Sequence, residues 1–168
     1  MAIVYKLISD EQEKEAYDKI DYQLIAIHTS LEDYRLAFFI NKRLPVILSK
    51  CNSNVSIKKK MAEIQFSRFI FDDEKKDITW NLIQNKNEFS ESNFTANTGL
   101  FENTITQMAT KSYLIPEYKK VDYFLKIENC LEPITIQNTI TEIKKIEQIS
   151  TVYAVAIETI KSKNNLIF

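Results

Sequence analysis

The sequence predicts an α+β fold: a single mostly antiparallel sheet of about five to seven strands, two main helices packed on it, and a C-terminal βαβ stretch. Three observations lead there. Alternating apolar and polar residues recur along the chain, most clearly at Ile64–Phe71, Ile78–Ile83 and Val121–Ile127, and a period of two marks a half-buried strand. Two segments, Ser30–Arg43 and Pro133–Gln148, instead carry apolar residues at helical spacing. Finally, 168 residues of 45 % apolar content bury about 70 % of the extended chain's surface. That is enough for a core without disulfide or metal, and the length argues for one domain over 1–168.

Ala2–Ile8 alternates and reads as a first strand, Asp10–Lys19 as a charged surface helix or loop, and Tyr22–His28 as a second strand. Thr29-Ser30-Leu31-Glu32-Asp33 then opens a helix, with Ser30 as cap and Asp33 reaching back from three positions on. Leu31, Tyr34, Leu36, Ala37, Phe38, Phe39, Ile40 and Leu44 leave it little polar face. Such a helix is expected between the sheet and another layer, or at an interface. Pro45 stops it.

Val46–Lys60 reads as a connector ending in Lys58-Lys59-Lys60, followed by a hairpin of Ile64–Phe71 and Ile78–Ile83 around a charged turn. Residues 85–110, rich in Asn, Ser, Thr and Glu, read as a long polar loop or insertion pinned by aromatics. Lys111–Ile115 is extended ahead of Pro116, Val121–Ile127 is a strand, and Pro133 opens the second helix. Thr151–Ile157 is the last strand, and Leu166-Ile167-Phe168 closes the chain.

Composition excludes several chemistries. Gly99 is the only glycine, so there is no glycine-rich phosphate loop and no nucleophile elbow. If any position needs a backbone that glycine alone adopts easily, it is Gly99. One histidine, His28, and two cysteines, Cys51 and Cys130, are too few for a zinc finger or an HExxH site. No metal, cofactor or catalytic residue is therefore expected. A formal charge of −1 gives no global attraction for nucleic acid or anionic lipid. No apolar run of about 18 residues spans a membrane. The first residues lack a signal-peptide pattern, so a cytoplasmic protein with reduced thiols is expected.

One motif stands out. Ile115-Pro116-Glu117, three residues, then Val121-Asp122-Tyr123 resembles the signature of a bacterial family named for it, the IPExxxVDY family. Tyr34-Arg35-Leu36-Ala37 with Asn41, Trp80 to Asn85, and the tail Lys161–Phe168 resemble that family as well. The resemblance implies a small cytoplasmic protein of no established activity. Genes for such proteins often lie beside those for acyl carrier protein, a ketoacyl synthase, ribonuclease III and pyruvate kinase.

The residues of the motif carry three readings. Structurally, Pro116 fixes an extended entry, Val121 and Tyr123 face the core, and Glu117 and Asp122 cap or bond backbone. Functionally, Ile115, Pro116, Glu117, Val121, Asp122 and Tyr123 form a recognition surface, or Glu117 and Asp122 form a catalytic carboxylate pair. Lys58, Lys59 and Lys60 with Arg68, Phe66, Phe69 and Trp80 offer a nucleic-acid face, since cations and stacked aromatics suit single strands. The acidic balance favours a solvated charge run instead. His28 reads as a neutral core histidine, Cys51 as an exposed thiol, Cys130 as inert, and the apolar tail as docked on its own sheet or on a partner.

The leading expectation is a small non-enzymatic interaction or adaptor protein with an unknown protein partner or a homodimer. The alternative is an RNA- or ribonuclease-associated accessory protein. An enzyme built on Glu117 and Asp122 comes third.

Overall fold

The computed structural model describes residues 22–59, 62–92, 107–130 and 132–168. The expected strand at Ala2–Ile8, the charged run Asp10–Lys19 and Gly99 lie outside the described residues. The elements are β1 (Tyr22–Thr29), α1 (Asp33–Arg43), β2 (Ser49–Lys50), β3 (Val55–Lys59), β4 (Ala62–Phe66), β5 (Arg68–Asp73), β6 (Ile78–Gln84), β7 (Lys86–Ser92), β8 (Gln107–Tyr113), β9 (Tyr123–Glu128), α2 (Pro133–Lys144) and β10 (Ile149–Ala154). Short 3-10 turns follow β8 and β10 and include Lys163–Leu166.

The main sheet has six strands in the order β10-β1-β9-β6-β5-β2, every neighbour antiparallel. The expected α+β class, single main sheet and two helices are thus observed. β9, α2 and β10 form a split βαβ unit, because β1 runs antiparallel between two strands that are parallel to each other. Two small sheets, β3–β4 and β7–β8, complete the strands among the described residues.

Strand alternation sends residues to two cores. One face presents Ile25, Ile27, Leu82, Leu125 and Ile127 to α1 and α2. The opposite face presents Leu24, Ala26, Ile83 and Phe124 to Val55, Ile64 and Phe66 of the β3–β4 hairpin, to Leu114, Ile115 and Val121, and to Leu166 of the tail. The sheet is therefore covered on both sides, by helices on one and by the hairpin, the motif and the tail on the other.

One row on the second face is polar. Lys126 is only 4 % exposed, and its ammonium pairs with Glu128, donates to the Leu166 carbonyl at 2.8 Å, and lies over the Tyr22 and Phe168 rings. Asn81 beside it accepts from Arg68 Nε at 2.9 Å and donates to Glu128 at 3.0 Å. A buried ammonium is tolerated because each of these partners replaces water.

Several local expectations are corrected. α1 starts at Asp33, not Ser30, and no side chain caps it. Thr29 Oγ1 takes the Leu31 N–H at 3.1 Å, while Asp33 bonds the Tyr34 N–H at 2.7 Å and so does not reach back. Nor is this helix buried all round: Leu36, Ala37 and Ile40 face the core, but Tyr34 and Phe38 face solvent. The connector Val46–Lys60 holds β2 and β3. Ile64–Phe71 is two strands broken at Ser67, β4 pairing with β3 and β5 with β2 and β6. Within 85–110, Lys86–Ser92 is a strand paired with Gln107–Tyr113, where Glu88 and Lys111 form a cross-strand ion pair at 3.4 Å. α2 ends at Lys144 rather than Gln148, and the last strand at Ala154 rather than Ile157.

Glycine-like conformations occur at Asp77 (φ 55°) and Asn129 (φ 59°). Asp and Asn are the non-glycine residues that enter this region most readily.

The tail supplies a direct test of the second core. Leu166→Ala is expected to lower unfolding free energy by about 2–5 kcal/mol. Ile167→Ala, at a residue 77 % exposed, should stay within about 0.5 kcal/mol. Urea unfolding of both variants reads the difference.

Candidate functional site

The motif is held by one buried side chain. Asn85 follows β6 and has no exposed surface. Its N–H donates to Asp122 O and its carbonyl accepts from Leu114 N, both at 2.9 Å. Its side-chain Oδ1 accepts the Ile115 N–H, and Nδ2 donates to the carbonyls of Tyr118 and Val121, all at 2.9 Å. Every polar atom of Asn85 is thereby spent on residues 114–122.

The carboxylates of the motif are separate and face backbone. Glu117 Oε1 accepts from Lys161 N at 2.8 Å and Ser162 N at 2.9 Å, and Oε2 from Ser162 Oγ at 2.7 Å. Partial burial pushes this carboxyl up, but the Ser162 hydroxyl and the neighbouring N–H donors outweigh it and bring it below its ordinary value. Asp122 Oδ2 accepts the Thr29 N–H at 3.0 Å, and Oδ1 pairs with Lys86 at 2.6 Å. Tyr123 donates to Leu31 O at 2.9 Å. Burial first, then the carboxylates of Asp33, Asp122 and Glu32, push its phenol up to about 12, so it stays protonated. Ile115 and Val121 are buried, and Pro116 opens the 3-10 turn.

The motif thus fastens three things. Asp122 and Tyr123 fix the chain between β1 and α1, Glu117 fixes the tail, and Asn85 fixes the motif to the end of β6. Asn165 Nδ2 adds a bond to Leu114 O at 2.7 Å. With these bonds in place, the Glu117 and Asp122 carboxylates do not converge on a shared reacting atom.

The basic aromatic cluster is dispersed. Lys58 is exposed on the outer face of the β3–β4 hairpin, and Lys60 and the side chain of Lys59 lie outside the described residues. Phe66 is buried in the second core, whereas Phe69 and Trp80 are buried in the first, across the sheet. Arg68 is engaged with Asn81 and lies 4.4 Å from the Phe168 ring centre.

His28 is half-buried rather than in the core. Its ring stacks on Tyr153 at 5.8 Å, with Nε2 3.4 Å from the phenol oxygen. Bonds from the Ser53 hydroxyl and N–H lower the half-buried Cys51 thiol below its ordinary value, and Cys130 is buried. No group of three or more His, Cys, Asp or Glu side chains gathers among the described residues. No helix among them is long and apolar enough to cross a membrane.

Comparison with family models, curated proteins and solved structures finds no match.

The helix expected between the sheet and another layer, or at an interface, presents an exposed surface on which no candidate site residue had been placed. Tyr34 and Phe38 are 58 % and 53 % exposed, four positions apart on the outer side of α1. Lys42 continues the same stripe, its ammonium 4.5 Å from the Phe38 ring centre. Arg35 lies alongside and is exposed. Among the described residues neither cation has an ion-pair partner. Asp33 at the head of the helix is different, since Lys50 and the Ser67 hydroxyl already bind it. Burial raises its carboxyl, but those two bonds and the Tyr34 N–H bring it below its ordinary value. The signal was present in the sequence as an unbroken apolar run, which implies more apolar surface than one core-facing stripe can bury.

Asn85→Ala leaves the Ile115 N–H and two carbonyls unpaired at about 1–3 kcal/mol each. A loss of about 3 kcal/mol or more is expected in urea unfolding. Glu117 gives a pH test. Its carboxyl is lowered on folding, so its contribution is complete above the unfolded value and is lost as pH falls through the folded value. Thermal melts of Glu117→Gln should therefore depend less on pH across the acid range than those of the parent chain.

Proposed function

We propose that this chain is a small non-enzymatic interaction protein, cytoplasmic and of the bacterial IPExxxVDY type, and that α1 carries its contact face. One observation supports this most directly. Tyr34 and Phe38 stand in solvent at 58 % and 53 % exposure on a helix whose other side is fully packed. Clustered exposed aromatics are characteristic of binding surfaces, where they serve as anchors.

The chemistry of the face selects its partner. Arg35 and Lys42 flank the aromatics and form no ion pair among the described residues, so the complementary surface is a protein segment combining apolar and acidic side chains. The motif residues act in this reading as the frame. Asp122 and Tyr123 position the turn from which α1 departs.

The RNA-associated alternative has less support. Its three aromatics are buried, which leaves Lys58 as a solvated cation without a stacking platform. A catalytic use of Glu117 and Asp122 is not favoured either, since both carboxylates serve backbone donors.

Affinity capture from native lysate with the parent chain and with Tyr34→Ala/Phe38→Ala tests the proposal. A protein retained by the parent should be lost from the variant, with an affinity drop of about 30-fold for one anchor, and should be released by salt. Capture indifferent to both substitutions, or recovery of RNA in place of protein, overturns it.

A further inference from the structure

The main sheet ends in two unequal edges. On one side β2 offers two residues; on the other β10 offers six, with no strand paired to its outer side among the described residues. An edge of that length presents backbone N–H and C=O groups that template a further strand, and proteins commonly block it with charge, proline or a bulge. β10 reads Ile-Ser-Thr-Val-Tyr-Ala, with neither charge nor proline. Its register shift against β1 falls between Thr151 and Ile149, ahead of the regular run at residues 151–154. Among the described strands only β1 and β6 also lack Asp, Glu, Lys and Arg, and both lie inside the sheet. β10 thus has the composition of an interior strand at an edge position.

The ladder to β1 fixes which backbone groups face outward. Val155 N–H donates to the Leu24 carbonyl at 2.8 Å, so these opposite residues form a hydrogen-bonded pair. Such pairs alternate along an antiparallel ladder. Tyr153 opposite Ala26 and Thr151 opposite His28 therefore bond inward, whereas Val152 and Ala154 turn their N–H and C=O groups away from β1. Between these two outward residues stands Tyr153, 36 % exposed and stacked on His28 at 5.8 Å. The tail leaves this edge open, because Glu117 holds it at Ser162 and Lys126 of β9 holds it at the Leu166 carbonyl, which draws it inward over the second face.

Charge and symmetry select the occupant. A two-fold pair sets side chains near the axis against their own copies, so a charged strand repels itself and an uncharged one does not. The formal charge of −1 adds little repulsion between copies. A head-to-tail contact of β10 with β2 has only two residues of β2 to pair with, so β10 finds its full-length complement in another β10.

We propose that this chain forms a two-fold dimer by antiparallel pairing of β10 with β10 of a second copy, centred on Tyr153. In that register Val152 exchanges backbone bonds with Ala154 of the partner subunit, and Ala154 with Val152 of the partner subunit. Tyr153 meets its own copy as a close, non-hydrogen-bonded pair, and the two six-stranded sheets become one.

Light scattering from the full chain should give twice the chain mass of 19.7 kDa. Ala154→Pro removes an outward N–H while sparing the bonds to β1, and Tyr153→Lys sets like charges across the axis. Each should weaken the dimer about tenfold or more in a sedimentation dilution series. The register has its own test in a Cys51→Ser background. Tyr153→Cys should form an intermolecular disulfide on mild oxidation, since a close antiparallel pair holds its Cα atoms about 4.5 Å apart. Thr151→Cys, roughly 14 Å from its own copy, should not. Tyr34→Ala/Phe38→Ala should leave the dimer unchanged, and thermal melts matching the parent's establish that the variants fold. A monomeric parent, a dimer that both edge substitutions leave intact, or cross-linking at Thr151 in place of Tyr153 overturns the proposal.

Discussion

The fold of this chain turns on the side chain of Asn85. It sits where the chain leaves the main sheet at the end of β6, fully buried, and bonds backbone groups at Ile115, Tyr118 and Val121. A buried loop is costly because its N–H and carbonyl groups lose water. Residues 114–122 are buried at Leu114, Ile115 and Val121, and there one amide side chain supplies an acceptor and two donors where no strand pairs with the segment. Once that loop is held, β9 enters the sheet in register between β1 and β6, and Asp122 and Tyr123 reach the turn before α1.

The second core follows from the same constraint. Ile115 and Val121 pack below Phe124, and the tail crosses them, pinned by Glu117 at Ser162 and by Lys126 at Leu166. Motif and tail therefore act as one cover over the face of the sheet that has no helices. Glu117, Asp122 and Lys126 are consumed in building it. Tyr34, Phe38, Arg35 and Lys42 on the outer side of α1 are not spent on the fold in this way.

Much of the fold was legible because alternation is a local property. The alternation at Val121–Ile127 and Ile78–Ile83 marks the two central strands, although β9 begins only at Tyr123, and the helical spacing from Pro133 matches α2. The same rule accounts for the dispersal of the basic aromatic cluster, where a solvated charge run beside core aromatics was the favoured expectation. Phe66 and Phe69 are three residues apart, an odd interval that sends them to opposite sides of an extended chain. The strand break at Ser67 was not legible. It depends on Asp33 and Lys50, distant in sequence, receiving the Ser67 side chain while Gln84 bonds its carbonyl at 2.9 Å. The strand at Lys86–Ser92 was hidden by its polar composition, since only its pairing with β8 satisfies its backbone.

The sequence by itself determined the class of fold and the two main helices, whereas the left-handed turn positions Asp77 and Asn129 came from the structure. Fold class and helices follow from periodicity, which short stretches of chain carry alone. Only the tertiary structure decided what the motif is for and which side chains remain available. Asn85 and Ile115 are thirty positions apart in the chain yet bonded at 2.9 Å. A hydrogen bond consumes a group wherever in the sequence its partner lies. Availability for function is therefore a property of the folded chain.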